Sequence, residues 1–143
     1  TDKSMTRFMI TLEQAVELVT LALKDSLGGE IYISKIPSMK VVDIAKTIEK
    51  KNKIRFIGIR PGEKIHESMI SKEDSFYTYE YKKYYKILPS FNDSYKNKNY
   101  IKSGKKVLVN FEYNSRLNRE WMTKATLEKW IKKYMSSDDS VNN

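Results

Sequence analysis

Cysteine is absent from the 143 residues, and histidine occurs once. The first absence excludes disulfide bonds and thiolate metal sites, and it fits a reducing compartment. Together the two leave no ligand set for a transition metal, so no metal is expected. The single histidine, in His66-Glu67, lacks the second His of a zinc-protease helix and reads as structural or solvated. Glycine is scarce at 5 residues and proline at 3. No Gly-x-Gly-x-x-Gly loop and no Walker-type loop occurs, so this chain is expected to hold no dinucleotide or nucleotide triphosphate cofactor by those means. No apolar run approaches the ~20 residues that span a bilayer, so no membrane partner is expected. The start, Thr1-Asp2-Lys3-Ser4, has no basic-then-apolar signal pattern and no initiator Met, as in a chain that was processed or cut from something longer.

What is abundant is lysine. The net charge is +9. That balance fits nucleic acid, an anionic membrane or an anionic small ligand. No basic stripe is concentrated on one predicted helix, so lysine-rich solvation is the simpler account. Hydrophobic residues make up 40%, enough for a modest core, and the length suits one domain or one lobe of a larger protein.

Residues 11–27 predict an amphipathic helix. Thr11 and Gln14 have capping-box spacing, and Leu12, Ala15, Val16, Val19, Ala22 and Leu23 recur on one face. Gly28-Gly29 stops it, and residues 30–34 predict a short strand. Residues 35–38 read as a loop. A second helix is expected over 41–51, with Val41, Ile44, Ala45 and Ile48 buried. A second strand is expected at 54–59, ended by Pro61-Gly62, then a short helix over 63–70. Short strands are expected at 76–81 and 84–88, followed by a polar, mobile loop over 92–105. Structure returns at 107–113, and a last helix after Thr123 carries Leu127, Trp130, Ile131 and Tyr134 on one face. The tail 136–143 is polar and expected to fray. The fold class is α/β, more narrowly an α+β lobe of small sheet and amphipathic helices.

Few residues could carry chemistry. The turn Gly58-Ile59-Arg60-Pro61-Gly62-Glu63-Lys64 follows a predicted strand. Arg60 offers a planar fork of donors suited to a diphosphate or carboxylate, and Glu63 could accept from ribose hydroxyls; an ordinary surface turn is the alternative. Arg7 lies among apolar residues and must find a partner, either a structural carboxylate or a ligand phosphate. Tyr79 and Lys83 form a Tyr-x-x-x-Lys, but on a predicted strand, where the helical geometry such a pair needs is missing. Trp130 reads as core. Trp121 and the tyrosines leave a base-stacking platform open.

Four blocks then carry a resemblance. They are residues 1–15, Gly28-Gly29-Glu30-Ile31-Tyr32-Ile33-Ser34-Lys35-Ile36-Pro37-Ser38-Met39-Lys40, Ile57 to Glu67, and Phe111-Glu112-Tyr113-Asn114-Ser115 with Asn118, Glu120-Trp121-Met122-Thr123 and Leu127. In this order they resemble the substrate domain of the inverting UDP-N-acetylglucosamine 4,6-dehydratases, extended short-chain dehydrogenase/reductase enzymes of capsule, O-antigen and flagellar-glycan synthesis. Departures are mild: Met9 stands where an aromatic is expected, Ser34 where Pro is expected, and Arg116 where a small or acidic residue is expected.

The resemblance implies that Arg7 and Arg60 grip the UDP diphosphate, that Glu63 contacts the ribose or uridine region, and that Lys35 lies on the substrate rim. It implies a cytoplasmic lyase or epimerase that oxidises C4 with bound NADP (or NAD), loses water across C5–C6 and returns hydride at C6; some members also invert C5. It implies that residues 1–135 are the C-terminal sugar-nucleotide-binding domain. The Rossmann half, with its cofactor and catalytic residues, would lie N-terminal to Thr1, so this chain alone would carry no catalytic residue and be inactive. The implied partners are a UDP-sugar, the Rossmann half and further copies in a homo-oligomer. The alternative kept open by the charge is a basic module binding nucleic acid or another polyanion.

Overall fold

The computed structural model describes residues 2–51, 53–90 and 98–138. Strand β1 (Thr6–Phe8) leads into helix α1 (Leu12–Asp25). Thr11 caps α1: its hydroxyl accepts from the Gln14 N–H, and the Gln14 side chain accepts from the Thr11 N–H, as the spacing predicts. Then follow β2 (Ile31–Ser34), β3 (Ser38–Lys40) and α2 (Val41–Ile48). After a long irregular stretch come β4 (Ser68–Ile70), a 3₁₀ turn (Asp74–Tyr77), β5 (Thr78–Glu80) and β6 (Tyr84–Ile87). The chain ends in α3 (Lys98–Ile101), β7 (Lys105–Lys106), β8 (Tyr113–Asn114) and α4 (Lys124–Asp138).

The strands form three small antiparallel sheets: β1 with β3, β4 with β8, and a four-stranded sheet in the order β2-β6-β5-β7. One parallel bridge joins Ser38 to Trp121. Two apolar clusters hold these pieces. Ile33, Ile70, Tyr85, Ile87 and Tyr113 gather between the sheets with Phe8 and Phe111 against them. Met39, Met122 and Leu127 gather between α2 and α4, with Ile44 and Trp130 alongside. Trp130 is thus core. Trp121 is half-exposed and donates its indole N–H to the Asn118 carbonyl at 2.9 Å. The mixed α+β class holds.

Several expectations are corrected. No strand forms at 54–59. Gly58 has φ +81°, which breaks an extended run, and no described strand lies alongside to complete a ladder. No helix forms over 63–70; that stretch continues from a tight turn into β4. Residues 35–38 are not all loop, since Ser38 opens β3. Helix α2 stops at Ile48, which is exposed, while Thr47 is buried and donates to the Asp43 carbonyl. The apolar row of α1 faces out: Leu12, Val16, Val19 and Leu23 are exposed, and no α1 residue is buried. Within 92–105, residues 92–97 lie outside the described residues, and 98–101 and 105–106 form α3 and β7. Helix α4 continues through 136–138, into the stretch read as tail, and 139–143 lie outside the described residues.

A buried ion group pins α1 to the four-stranded sheet. The Lys86 side chain is 0% exposed. Its ammonium donates to the Asp25 carboxylate and to the Tyr100 carbonyl, and lies 5.0 Å from the Tyr32 ring centroid. Lys102 and the Tyr32 hydroxyl also donate to Asp25. Burial works against the Asp25 charge, but these three donors hold its carboxyl far below the usual range. The Tyr32 phenol moves the opposite way, raised by burial and then by Asp25.

Candidate functional site

Arg60 and Glu63 close a single turn. The Glu63 N–H donates to the Arg60 carbonyl at 3.0 Å, and the Arg60 N–H donates to the Glu63 carboxylate at 3.2 Å. Pro61 and Gly62 occupy the two central positions, with Gly62 at φ +79°, the sequence signature of a type II turn. The Arg60 guanidinium is exposed and has no ion-pair partner among the described residues.

Arg7 is held differently. Its Nη1 donates to the Thr6 carbonyl at 2.7 Å and to the Ile65 carbonyl at 3.3 Å. Its Nε lies 3.3 Å from the Glu67 carboxylate. Of the two partners that the sequence left open, the structure contains the carboxylate. Nη2 has no partner among the described residues. Arg7 therefore braces β1 against the segment just beyond the Arg60 turn. No direct contact joins Arg7 to Arg60 among the described residues.

Lys35 stands elsewhere. Its ammonium pairs with Glu80 at 2.6 Å and lies 4.9 Å from the Tyr85 ring centroid. It borders two open recesses of about 430 and 460 Å³. The second is floored by Tyr85, Phe111 and Tyr113, with Arg119 and Glu120 on its wall. Neither Arg7 nor Arg60 lines these two recesses.

A hydroxyl cluster beside Arg7 escaped the sequence reading. The Thr6 Oγ1 lies 2.8 Å from Nδ1 of His66 and 2.6 Å from the Ser115 Oγ. Ser115 Oγ accepts from the Glu67 N–H at 2.9 Å, and the Ser115 N–H donates to the Glu67 carbonyl at 2.8 Å. Thr6 and Ser115 are buried. Burial holds the His66 pKa below its ordinary value, with help from the positive charges of Arg116 and then Arg7, while Asp2 opposes. No periodicity flags these residues, which lie up to 109 positions apart. Only their place inside the quoted blocks did. Among the described residues no group of three or more His, Cys, Asp or Glu side chains could hold a metal, and no helix is long and apolar enough to cross a membrane.

The described residues also offer no dinucleotide cradle. Every pair of named strands is antiparallel, and Gly58 and Gly62 sit in irregular chain, not between a strand and a following helix. What the turn presents to solvent is the exposed Arg60 guanidinium, a planar fork of donors, with the Glu63 carboxylate held in the same turn.

Comparison with known proteins bears on the chain's family. The polysaccharide biosynthesis protein family matches residues 1–89. The UDP-N-acetylglucosamine 4,6-dehydratase (inverting) of Campylobacter jejuni subsp. jejuni is 42% identical over 132 residues, covering 89% of this chain and 40% of the relative. The UDP-glucose 4-epimerase of Rickettsia akari is 37% identical over 135 residues, covering 89% of this chain and 40% of that protein. The X-ray structure of Pen from Bacillus thuringiensis superposes with a TM-score of 0.74 at 30% identity, covering 94% of this chain and 39% of that one. The chain therefore spans about two fifths of the length of the curated relatives it matches.

Proposed function

Because the chain belongs to the polysaccharide biosynthesis protein family, we propose that it is the UDP-sugar-binding portion of a nucleotide-sugar 4,6-dehydratase of surface-glycan synthesis. The observation that carries this is the 42% identity, over 89% of the chain, to an inverting UDP-N-acetylglucosamine 4,6-dehydratase. The turn chemistry supports it. Arg60 is an exposed fork of donors without an internal anion, which suits a diphosphate. Glu63 is fixed by the same turn and can accept from sugar hydroxyls. Arg7 keeps one terminal nitrogen for a ligand oxygen while its other nitrogens anchor it. Lys35, tied to Glu80, takes the substrate rim or guards the aromatic recess.

In this proposal NADP (or NAD) supplies hydride acceptance and return at the sugar, held by protein outside these residues. The chain's own groups bind and orient the diphosphate, and the isolated chain turns over nothing. Calorimetric titration with UDP tests the binding. Arg60→Ala is expected to weaken it by about tenfold or more, as for loss of a hydrogen bond to a charged group, with the circular dichroism spectrum unchanged. Equal affinity in the variant overturns the assignment of Arg60. Incubation with UDP-N-acetylglucosamine and NADP is expected to yield no 4-keto-6-deoxy sugar; robust turnover overturns the proposed inactivity.

A second reading, a 4-epimerase, is favoured by the Rickettsia akari relative at 37% identity. Product analysis of an enzyme containing this chain separates the two. A UDP-hexose inverted at C4 and still hydroxylated at C6 points to the epimerase.

A further inference from the structure

Helix α1 carries two apolar rows. Ala15, Leu18 and Ala22 form the inner one and are half-buried. That row continues to Asp25, which meets the Tyr32 hydroxyl of β2, the strand on which α1 packs. Leu12, Val16, Val19 and Leu23 form the outer row, three or four positions apart. Val16, Val19 and Leu23 each directly follow an inner residue, so the rows stand about 100° apart around the helix. The outer four are 78%, 56%, 58% and 81% exposed. Leu27, just past the helix, is 54% exposed. A helix packed on one layer needs one apolar stripe and turns polar residues to water. A second stripe is the mark of a second layer.

A second copy of this chain fits that row poorly. Four side chains along about 16 Å of helix fall short of the ~800 Å² per partner that a stable dimer buries. Uncovered apolar surface also extends beyond the helix, since Ile54, Phe56, Ile57 and Ile59 are exposed in the irregular stretch before the Arg60 turn. The relatives point to a larger body. Helix α1 lies within the residues 1–89 that match the family. The dehydratase and epimerase relatives are covered over 40% of their own length, and the Pen structure over 39%. In each of them a region like this chain is accompanied by about three fifths of the protein again.

We propose that the outer row of α1 is the docking surface for that body, the three fifths of an enzyme of this family that this chain does not match, and that the body presents apolar side chains to it. This rests on the part of the proposed function that puts further protein beside this chain, and on nothing about the ligand. Helix α1 is then a middle layer, with the four-stranded sheet on one side and the docked body on the other. An open recess of about 510 Å³ beside Val16 and Leu21 gives partner side chains room, with Glu17, Thr20 and Lys24 as its polar rim.

Trypsin cuts after Arg7 and after Lys24, so one peptide carries the whole row. Carbene labelling of that peptide, read by mass spectrometry, is compared in the 143-residue chain and in the Campylobacter jejuni dehydratase with this chain exchanged for the two fifths it matches. Leu12, Val16, Val19 and Leu23 are expected to label strongly in the chain alone at every concentration, and to lose most of that labelling in the exchanged enzyme. The paired substitution Val16→Lys and Val19→Lys should leave the melting temperature of the chain alone within about 2 °C and lower that of the exchanged enzyme by more. Labelling that persists in the exchanged enzyme, including through failure to assemble, overturns the proposal. So does a pair of substitutions tolerated equally in both proteins. Labelling that falls as the isolated chain is concentrated shows a second copy on the row, and overturns it as well. UDP binding enters none of these readouts. The surface can therefore fail while the nucleotide-sugar reading stands, and UDP binding can fail while the row stays protected.

Discussion

Tyr113 ties the core to the chain around it through one oxygen. Its hydroxyl accepts from the Ile36 N–H at 2.9 Å and donates to the Ile36 carbonyl at 3.0 Å, both buried. Tyr113→Phe leaves that N–H without a partner. The expected cost is about 1–3 kcal/mol, read from the midpoint of urea unfolding. Lys86 makes a sharper case. Asp25→Asn strands a buried ammonium and is expected to cost about 3 kcal/mol or more. Lys86→Met removes the charge with its need for a partner and should cost clearly less, by the same measurement. The reverse ranking would show that Asp25, not Lys86, is the ion that suffers on losing its mate. These residues mark the limit of the sequence. Trp130 and Leu127 were legible as core because helical spacing repeats within one element. Lys86 was not, since its carboxylate lies 61 positions away and an ammonium in a strand reads as solvated. His66 reads in the sequence as structural or solvated, and its contact with the Thr6 hydroxyl is one that only the three-dimensional fold brings together.

Some elements with internal signals lie where the sequence puts them. The capping box of α1 and the strands β2, β5 and β6 lie where alternation and capping put them. Three-residue strands such as β1, β3 and β4 are too short to show a period, and they exist because a partner strand satisfies their backbone. Residues 54–59 are the converse, an alternating run without a partner. Tertiary fit also decides β7. A Cβ added at Gly104 would stand 2.5 Å from the Tyr81 ring, whose hydroxyl donates to the Ile101 carbonyl at 2.6 Å. The turn between α3 and β7 therefore packs only as glycine. Gly104→Ala is expected to destabilise by about 1–3 kcal/mol, as overpacking does. Pairing it with a smaller side chain at Tyr81 should recover part of the loss, which a double-mutant cycle in thermal unfolding would measure.

Across the whole molecule, acid acts in two stages. The folded pKa of His66 is lowered from 6.5, so the stability it contributes is present above that value and lost as pH falls through the folded pKa. Asp25 is lowered from 3.8, so its contribution persists to lower pH and is lost only below about 4. Unfolding midpoints should decline from neutrality toward pH 5 in the native chain, and His66→Asn should flatten that limb while leaving the acid limb intact. The net charge of +9 leaves the polyanion reading testable too. Nucleic-acid affinity would fall steeply with salt, whereas a site of a few fixed donors responds to Arg60→Ala. One further consequence belongs to α1. Its outward apolar row, with Leu12 at 78% and Leu23 at 81% exposure, is already hydrated when the chain is folded. Melting this chain therefore brings less new hydrocarbon into water than its length would suggest. Calorimetry should find a heat-capacity increment below the usual ~12–15 cal/mol/K per residue, and a correspondingly flat dependence of stability on temperature.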